Sequence, residues 1–202
     1  MFLAIGLIAL MGAVTGCRSF RQTEPPRTAT EQLLLSTAAN RALTNADFSW
    51  LKGKKIFVED KYFESYDKGD AVSLIRQHLS AAGALLTTTN DKAEIIVEIR
   101  AGVLSVNSAQ TLFGIPAATA PVPLAGAVPT PEIALYKSEK DDSVSKLALF
   151  AYKRESGEYI QASPPMIGYA YFHLFKLFGI SWRRTDVPEL KKHAADGKQT
   201  AP

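Results

Sequence analysis

The tightest constraint on how this chain can fold is the run Lys92-Ala93-Glu94-Ile95-Ile96-Val97-Glu98-Ile99-Arg100-Ala101-Gly102-Val103-Leu104-Ser105. Its odd positions from Ala93 to Val103 are all apolar, while the even ones mix Glu94, Glu98 and Arg100 with Ile96 and Leu104. A period of two sends alternate side chains to opposite faces of a strand, and the β-branched residues favour that geometry over a helix. The run is expected to be a long central strand with its odd side chains buried.

The segments before it supply helices to cover that strand. Thr28 and Glu31 have the spacing of a capping box. Leu34, Leu35, Ala38, Ala39, Ala42 and Leu43 follow at helical spacing, so the periodicity predicts a helix to about Thr44. Residues 55–60 read as a first strand, and a polar, aromatic loop carries Tyr62, Phe63, Glu64, Tyr66 and Asp67. A second helix starts near Lys68 or Gly69, is lined by Val72, Ile75, Leu79 and Ala82, and stops at Gly83. Residues 84–88 suggest a short strand. Strand, helix, strand implies parallel neighbours at Ile56 and Ile95, joined by a right-handed crossover.

The chain carries no charge from Ala101 to Pro131, and Thr111 to Pro131 holds Pro116, Pro121, Pro123, Pro129 and Pro131 with Gly114 and Gly126. Residues 107–131 are therefore expected to form a long apolar loop that covers the sheet, touches lipid or takes a partner. Leu112, Phe113, Ile115, Val122, Leu124 and Val128 are its candidate partner contacts. Beyond it, residues 132–136 read as a strand ended by a charged turn at residues 139–142. Residues 146–152 and 159–162 form a hairpin around Ser156-Gly157, so an antiparallel meander extends the sheet. Tyr169, Tyr171, Phe172, Phe175, Phe178 and Trp182 fit either a helix or a strand. Core packing is the expectation for them, and an interfacial segment with Trp182, Arg183 and Arg184 at lipid headgroups the alternative.

The fold class expected is α/β (α+β): one domain over residues 28–190, with a mixed sheet, a strand-helix-strand start and helices packed upon it. Residues 191–202 read as a polar, disordered tail.

Residues 1–16 are uncharged and mostly apolar, too short for a membrane span but of signal-peptide size. Val14-Thr15-Gly16-Cys17 resembles the lipobox of bacterial lipoproteins, in which the cysteine is acylated and becomes the mature N-terminus. The resemblance implies lipidation of Cys17, a lipidated tether over residues 17–27, and a domain held outside the cytoplasm, at the periplasmic face of the outer membrane. No Lys or Arg precedes the apolar run, a departure from the usual signal. Cys17 is also the only cysteine, which excludes a disulfide within the chain.

Further stretches, namely residues 30–39, Gly114-Ile115-Pro116, Thr130-Pro131-Glu132 and residues 185–189, resemble an uncharacterised family of bacterial lipoproteins. The strand and hairpin order is similar to the α/β domains of curli-secretion channel and penicillin-binding-protein activator lipoproteins. These resemblances imply a non-enzymatic module that binds another envelope protein or assists assembly, with a secretion-associated or oligomeric channel subunit as the alternative. No cofactor and no metal are implied.

Catalytic signatures are scarce. There is no G-x-S-x-G, H-E-x-x-H or G-x-x-x-x-G-K-[ST] motif. The net charge of +3 has no dense basic block interleaved with aromatics, so nucleic acid is not an expected partner. His78, His173 and His193 stand apart in the sequence. Glu59, Asp60, Glu64, Asp67 and Asp70 cluster near the first strand, and a hydrolase using them with His78 is the enzymatic alternative.

Overall fold

The computed structural model describes residues 27–122 and 126–195. Residues 1–16 and Cys17 lie outside that range. Helix α1 (Ala29–Thr44) begins at the expected capping box, with the Glu31 carboxylate accepting from the Thr28 N–H and the Thr28 hydroxyl accepting from the Glu31 N–H. The six residues expected to form its apolar stripe are its buried ones. Strand β1 (Lys55–Glu59), helix α2 (Lys68–Ala81) and strand β2 (Leu85–Leu86) follow as read. Gly83 adopts φ +93 at the end of α2, the left-handed conformation that stops a helix at little cost to glycine.

Strand β3 (Ile95–Ile115) is parallel to β1 through Ile56↔Ile95 and Val58↔Val97. After a β4–β5 hairpin (Ala118–Val122, Gly126–Thr130), β6 (Ile133–Lys153) returns antiparallel along the whole of β3. Strands β7 (Tyr159–Ala162) and β8 (Met166–Leu177) lie end to end along the other side of β6, and β9 (Ile180–Thr185) pairs with β8. A short helix α3 (Pro188–Ala195) closes the described chain. The sheet order is β2-β1-β3-β6-β8-β9, a mixed open sheet in a single α+β domain.

Helices α1 and α2 cover one face. The core joins Ile75 and Leu79 of α2, Leu43 of α1, Ile56 of β1, Val97 and Ile99 of β3, and Leu147 and Leu149 of β6. Further along, α1 crosses a trough of small residues: Ser143 and Ser145 on β6 beside Ala170 and Gly168 on β8. A Cβ on Gly168 would collide with the Ala38 carbonyl oxygen and lie 2.6 Å from the Ala42 nitrogen. The Ser143 and Ser145 hydroxyls are buried without a hydrogen-bond partner; their small size is what the helix requires there. Arg41 locks the crossing. Its guanidinium donates to the Asp186 carboxylate at 2.5 Å and to the Tyr169 carbonyl at 2.6 Å, while the other Asp186 oxygen accepts from the Tyr171 N–H at 2.9 Å.

Five expectations need correction. Residues 107–131 are not one loop: β3 runs on to Ile115, and Ala118–Val122 pairs antiparallel with Gly126–Thr130 as β4 and β5. The prolines do keep this pair out of the main sheet, because Pro121 and Pro129 lack an N–H and are tolerated where each strand has only one neighbour. The charged turn at residues 139–142 does not exist either. There β6 lies between β3 and β8, beyond the helices, so Glu139, Lys140, Asp141 and Asp142 reach solvent from both faces without breaking the ladder. Residues 166–177 and 180–185 are strands, and their aromatics are not all core: Tyr169 and Phe178 are exposed. Residues 191–195 belong to α3 rather than to a disordered tail. The odd-face rule also fails past Ala101. A bulge at Gly102 reverses the alternation, so Val103 is exposed while Leu104 packs against the core.

Candidate functional site

Past the end of α1 the sheet continues as four strands, β3, β6, β8 and β9, and no helix among the described residues covers the face away from α1. Residues in register across neighbouring strands share a face. Asn107, Asp142 and Tyr171 form one row on the face away from the helices; Ala109, Lys140, His173 and Arg184 form the next. Thr111, Ser138, Phe175 and Trp182 follow, and then Phe113, Tyr136, Leu177 and Ile180. Phe175 and Trp182 stack with ring centroids 5.6 Å apart, and Ser138 in the same row is buried. His173 packs against Tyr171 at 4.9 Å and meets Asp142 Oδ1 at 3.0 Å through Nε2.

The end of this sheet is apolar and open. Phe113, Phe178 and Ile180 retain 68%, 74% and 72% of their surface, and Ile115, Ile133 and Leu135 are exposed beside them. Leu177 and Ile180 flank a two-residue turn in which Phe178 and Gly179 adopt φ 46 and 83. Positive φ fits the right-handed twist of a tight hairpin. At Phe178, however, a bulky side chain bears a conformational cost that glycine would avoid, and the ring it displays is left in solvent.

Of the expected contacts, Phe113 and Ile115 lie at this end, whereas Leu112 is half-buried on the helix-side face. Val122 and Val128 occupy β4 and β5, Val122 opposite Gly126 and Val128 opposite Ala120. Leu124 and Cys17 lie outside the described residues. Sequence reasoning missed Ile133, Leu135 and Ile180. Their signal was the pairing of two apolar strand ends, visible only once β3, β6, β8 and β9 are known to finish together.

Two members of the acidic cluster, Asp60 and Asp67, are ion-paired. Lys68 Nζ lies 3.1 Å from Asp60, and Arg27 Nε lies 2.8 Å from Asp67. His78 binds Asn40 Oδ1 at 3.0 Å, tying α2 to α1. Asp70 and His78 sit in the first and last turns of α2, about 12 Å apart along the axis at 1.5 Å per residue, so no acid–histidine pair assembles between them. Burial and then the neighbouring Asp67 push the Asp70 carboxyl above its ordinary value. Ionising it therefore favours the unfolded chain; the penalty is absent below the unfolded carboxyl range and grows as pH rises through the folded value. Asp70→Asn is expected to raise the melting temperature slightly near neutral pH and to have no effect at about pH 3, below the unfolded carboxyl pKa of about 3.9. Thermal scans at both pH values check this.

Elsewhere on the bare face, Tyr152 is half-buried, and its phenol is pushed up by burial and by the Glu98 and Glu59 carboxylates. Among the described residues no group of three or more His, Cys, Asp or Glu could hold a metal ion, and no helix is long and apolar enough to cross a membrane. The arrangement presents, among the described residues, an aromatic sheet face without a covering helix and with an apolar end.

No curated protein matches the chain. One family model does, over residues 11–167, a range that takes in Cys17, both sheet-covering helices and the start of β8. That range is most of the sequence, and the chain belongs to this family of unknown function (DUF6655).

Proposed function

We propose that the chain is a non-enzymatic lipoprotein of the bacterial cell envelope, held to the membrane through acylated Cys17, whose domain captures another envelope protein with its apolar sheet end. The observation that carries this reading is the convergence of Phe113, Ile115, Ile133, Leu135, Phe178 and Ile180, all exposed, at the end of one sheet. Exposed apolar groups gathered on this scale mark contact sites. Supporting it, residues 101–131 carry no charge that a docking partner would have to desolvate. The N-terminal apolar run ending at Gly16-Cys17 supplies the anchor, and two or more acyl chains make such an attachment stable.

The test has two arms. Cys17→Ser is expected to release the protein from the membrane fraction or leave it uncleaved, and mass spectrometry of the wild type is expected to find a diacylated N-terminal Cys17. A mature chain that starts elsewhere or lacks lipid removes the anchor reading. Separately, Phe113→Glu with Ile180→Glu is expected to leave the domain folded and anchored but to abolish partner recovery after cross-linking in intact cells. Undiminished recovery removes the binding reading.

A further inference from the structure

β3 has a second neighbour only where β1 pairs with residues 95–98. From Ile99 to Ile115 its outer side meets no strand among the described residues. The polarity of that edge follows from β6. Leu149 exchanges hydrogen bonds with Ser163 on the β7 side, its N–H donating to Ser163 Oγ and its carbonyl accepting from the Ser163 N–H. Main-chain groups alternate sides along a strand, so the even residues of β6 address β3. Across the bulge they meet the odd residues Val103, Ser105, Asn107, Ala109, Thr111 and Phe113. The N–H and carbonyl groups of Leu104, Val106, Ser108, Gln110 and Leu112 consequently point outward.

Proteins ordinarily guard such an edge with charge, proline or short length. β9 carries Arg183 and Arg184, and β2 is two residues long. β3 has no charge beyond Arg100 and no proline before Pro116. Its regular run is bounded by register shifts after Ala101 and after Phe113, and Ser108 lies at its midpoint.

We propose that this edge pairs with the same edge of a second copy of the chain, antiparallel about a two-fold axis at Ser108, joining two sheets into one. Antiparallel self-pairing about Ser108 sets Leu104 against Leu112 and Val106 against Gln110 on the helix side, and Val103 against Phe113 and Ser105 against Thr111 on the bare side. Leu104 with Leu112 and Val103 with Phe113 are apolar pairs, Ser105 with Thr111 is a small polar pair, Val106 with Gln110 is a mixed one, and no like charges are opposed. The run fits in full, whereas an unrelated extended segment would have no reason to match its symmetric limits. Where the second copy's Phe113 passes, a largely polar groove of about 280 Å³ lies open beside Gly102, Val103 and Leu104, lined by Arg27, Glu64 and Ser65 as well as Tyr66. Pro116 ends the incoming strand before it reaches β1.

Sedimentation of the full chain in detergent is expected to give a dimer, and Ser108→Lys a folded monomer, because two lysines then face each other at the axis. Ser108→Lys and Ser108→Glu copies, co-expressed under different tags, are expected to purify together again. Oxidising membranes that hold Ser108→Cys is expected to give a covalent homodimer, which neither wild type (controlling for Cys17) nor Glu155→Cys in the β6–β7 turn gives. A monomeric wild type, a dimer indifferent to Ser108→Lys, or Ser108→Cys cross-linked to a different polypeptide overturns the proposal.

Discussion

Gly168→Val is expected to leave no folded domain. Glycine is the one residue that lets the backbone of α1 rest on β8, since any Cβ there would collide with the Ala38 carbonyl. Neither side can yield cheaply. Both contacting groups are main chain within α1, and the helix is held in place by buried Leu34 and Leu35 before the contact and by Arg41 bridging Tyr169 and Asp186 beyond it. Lifting the helix would uncover Ala170 and Val187 together with its own buried stripe. Single substitutions that force such rearrangements fall in the exceptional class of more than about 4 kcal/mol, against a total of about 5–15 kcal/mol for a typical domain. Loss of the cooperative thermal transition in a Gly168→Val chain that is still synthesised checks the claim. Gly168→Ala adds the same Cβ and is expected to share most of the loss, which separates a backbone collision from a mere excess of side-chain volume.

Ile99→Asp is expected to be nearly as damaging, and Glu98→Lys close to neutral, although the two are adjacent. Ile99 is wholly buried opposite Leu149 in the core beneath the helices. A carboxylate there has no cation to meet and must either stay unpaired or bind a proton at neutral pH, a cost of several kcal/mol. Glu98 points to the bare face, beside Glu59 in register on β1 and near Tyr152. Lysine at that position replaces a like-charge neighbour with an opposite one, worth about 1 kcal/mol at such a half-buried, solvent-facing pair. Denaturant midpoints of the two variants measure the contrast, and equal tolerance of both would remove the assignment of faces.

What the sequence made legible was whatever local chemistry decides. Thr28 with Glu31 marks the start of α1, and the spacing of Leu34, Ala38 and Ala42 names its buried side. Gly83 marks the end of α2. The parallel step from Ile56 to Ile95 follows from strand-helix-strand order. The rest depends on partners distant in sequence. Glu139 to Asp142 would form a turn if isolated; they remain a strand because β3 and β8 hold them on both sides. Tyr169 and Phe178 resemble core residues until Tyr169 is seen to lie on the face opposite α1 and Phe178 in the exposed β8–β9 turn. The candidate contact end was half visible, through Phe113 and Ile115. The bulge at Gly102, which decides which residues of β3 are exposed, has no signal beyond one glycine within an otherwise regular alternation.

β6 has a mechanical consequence. A strand of 21 residues at about 3.3 Å per residue spans roughly 70 Å, several times the radius of an ordinary domain of this size. Arg27, the first described residue, lines one groove with Gly102, Val103 and Leu104. Ile115 stands roughly 40 Å further on at the same rise per residue. Between those points β6 is hydrogen-bonded to a strand on either side as far as Tyr136, without a hinge. Whatever fixes residue 27 therefore also sets the working distance of the apolar end. The sheet behaves as a stiff outrigger, holding the apolar end at a fixed stand-off.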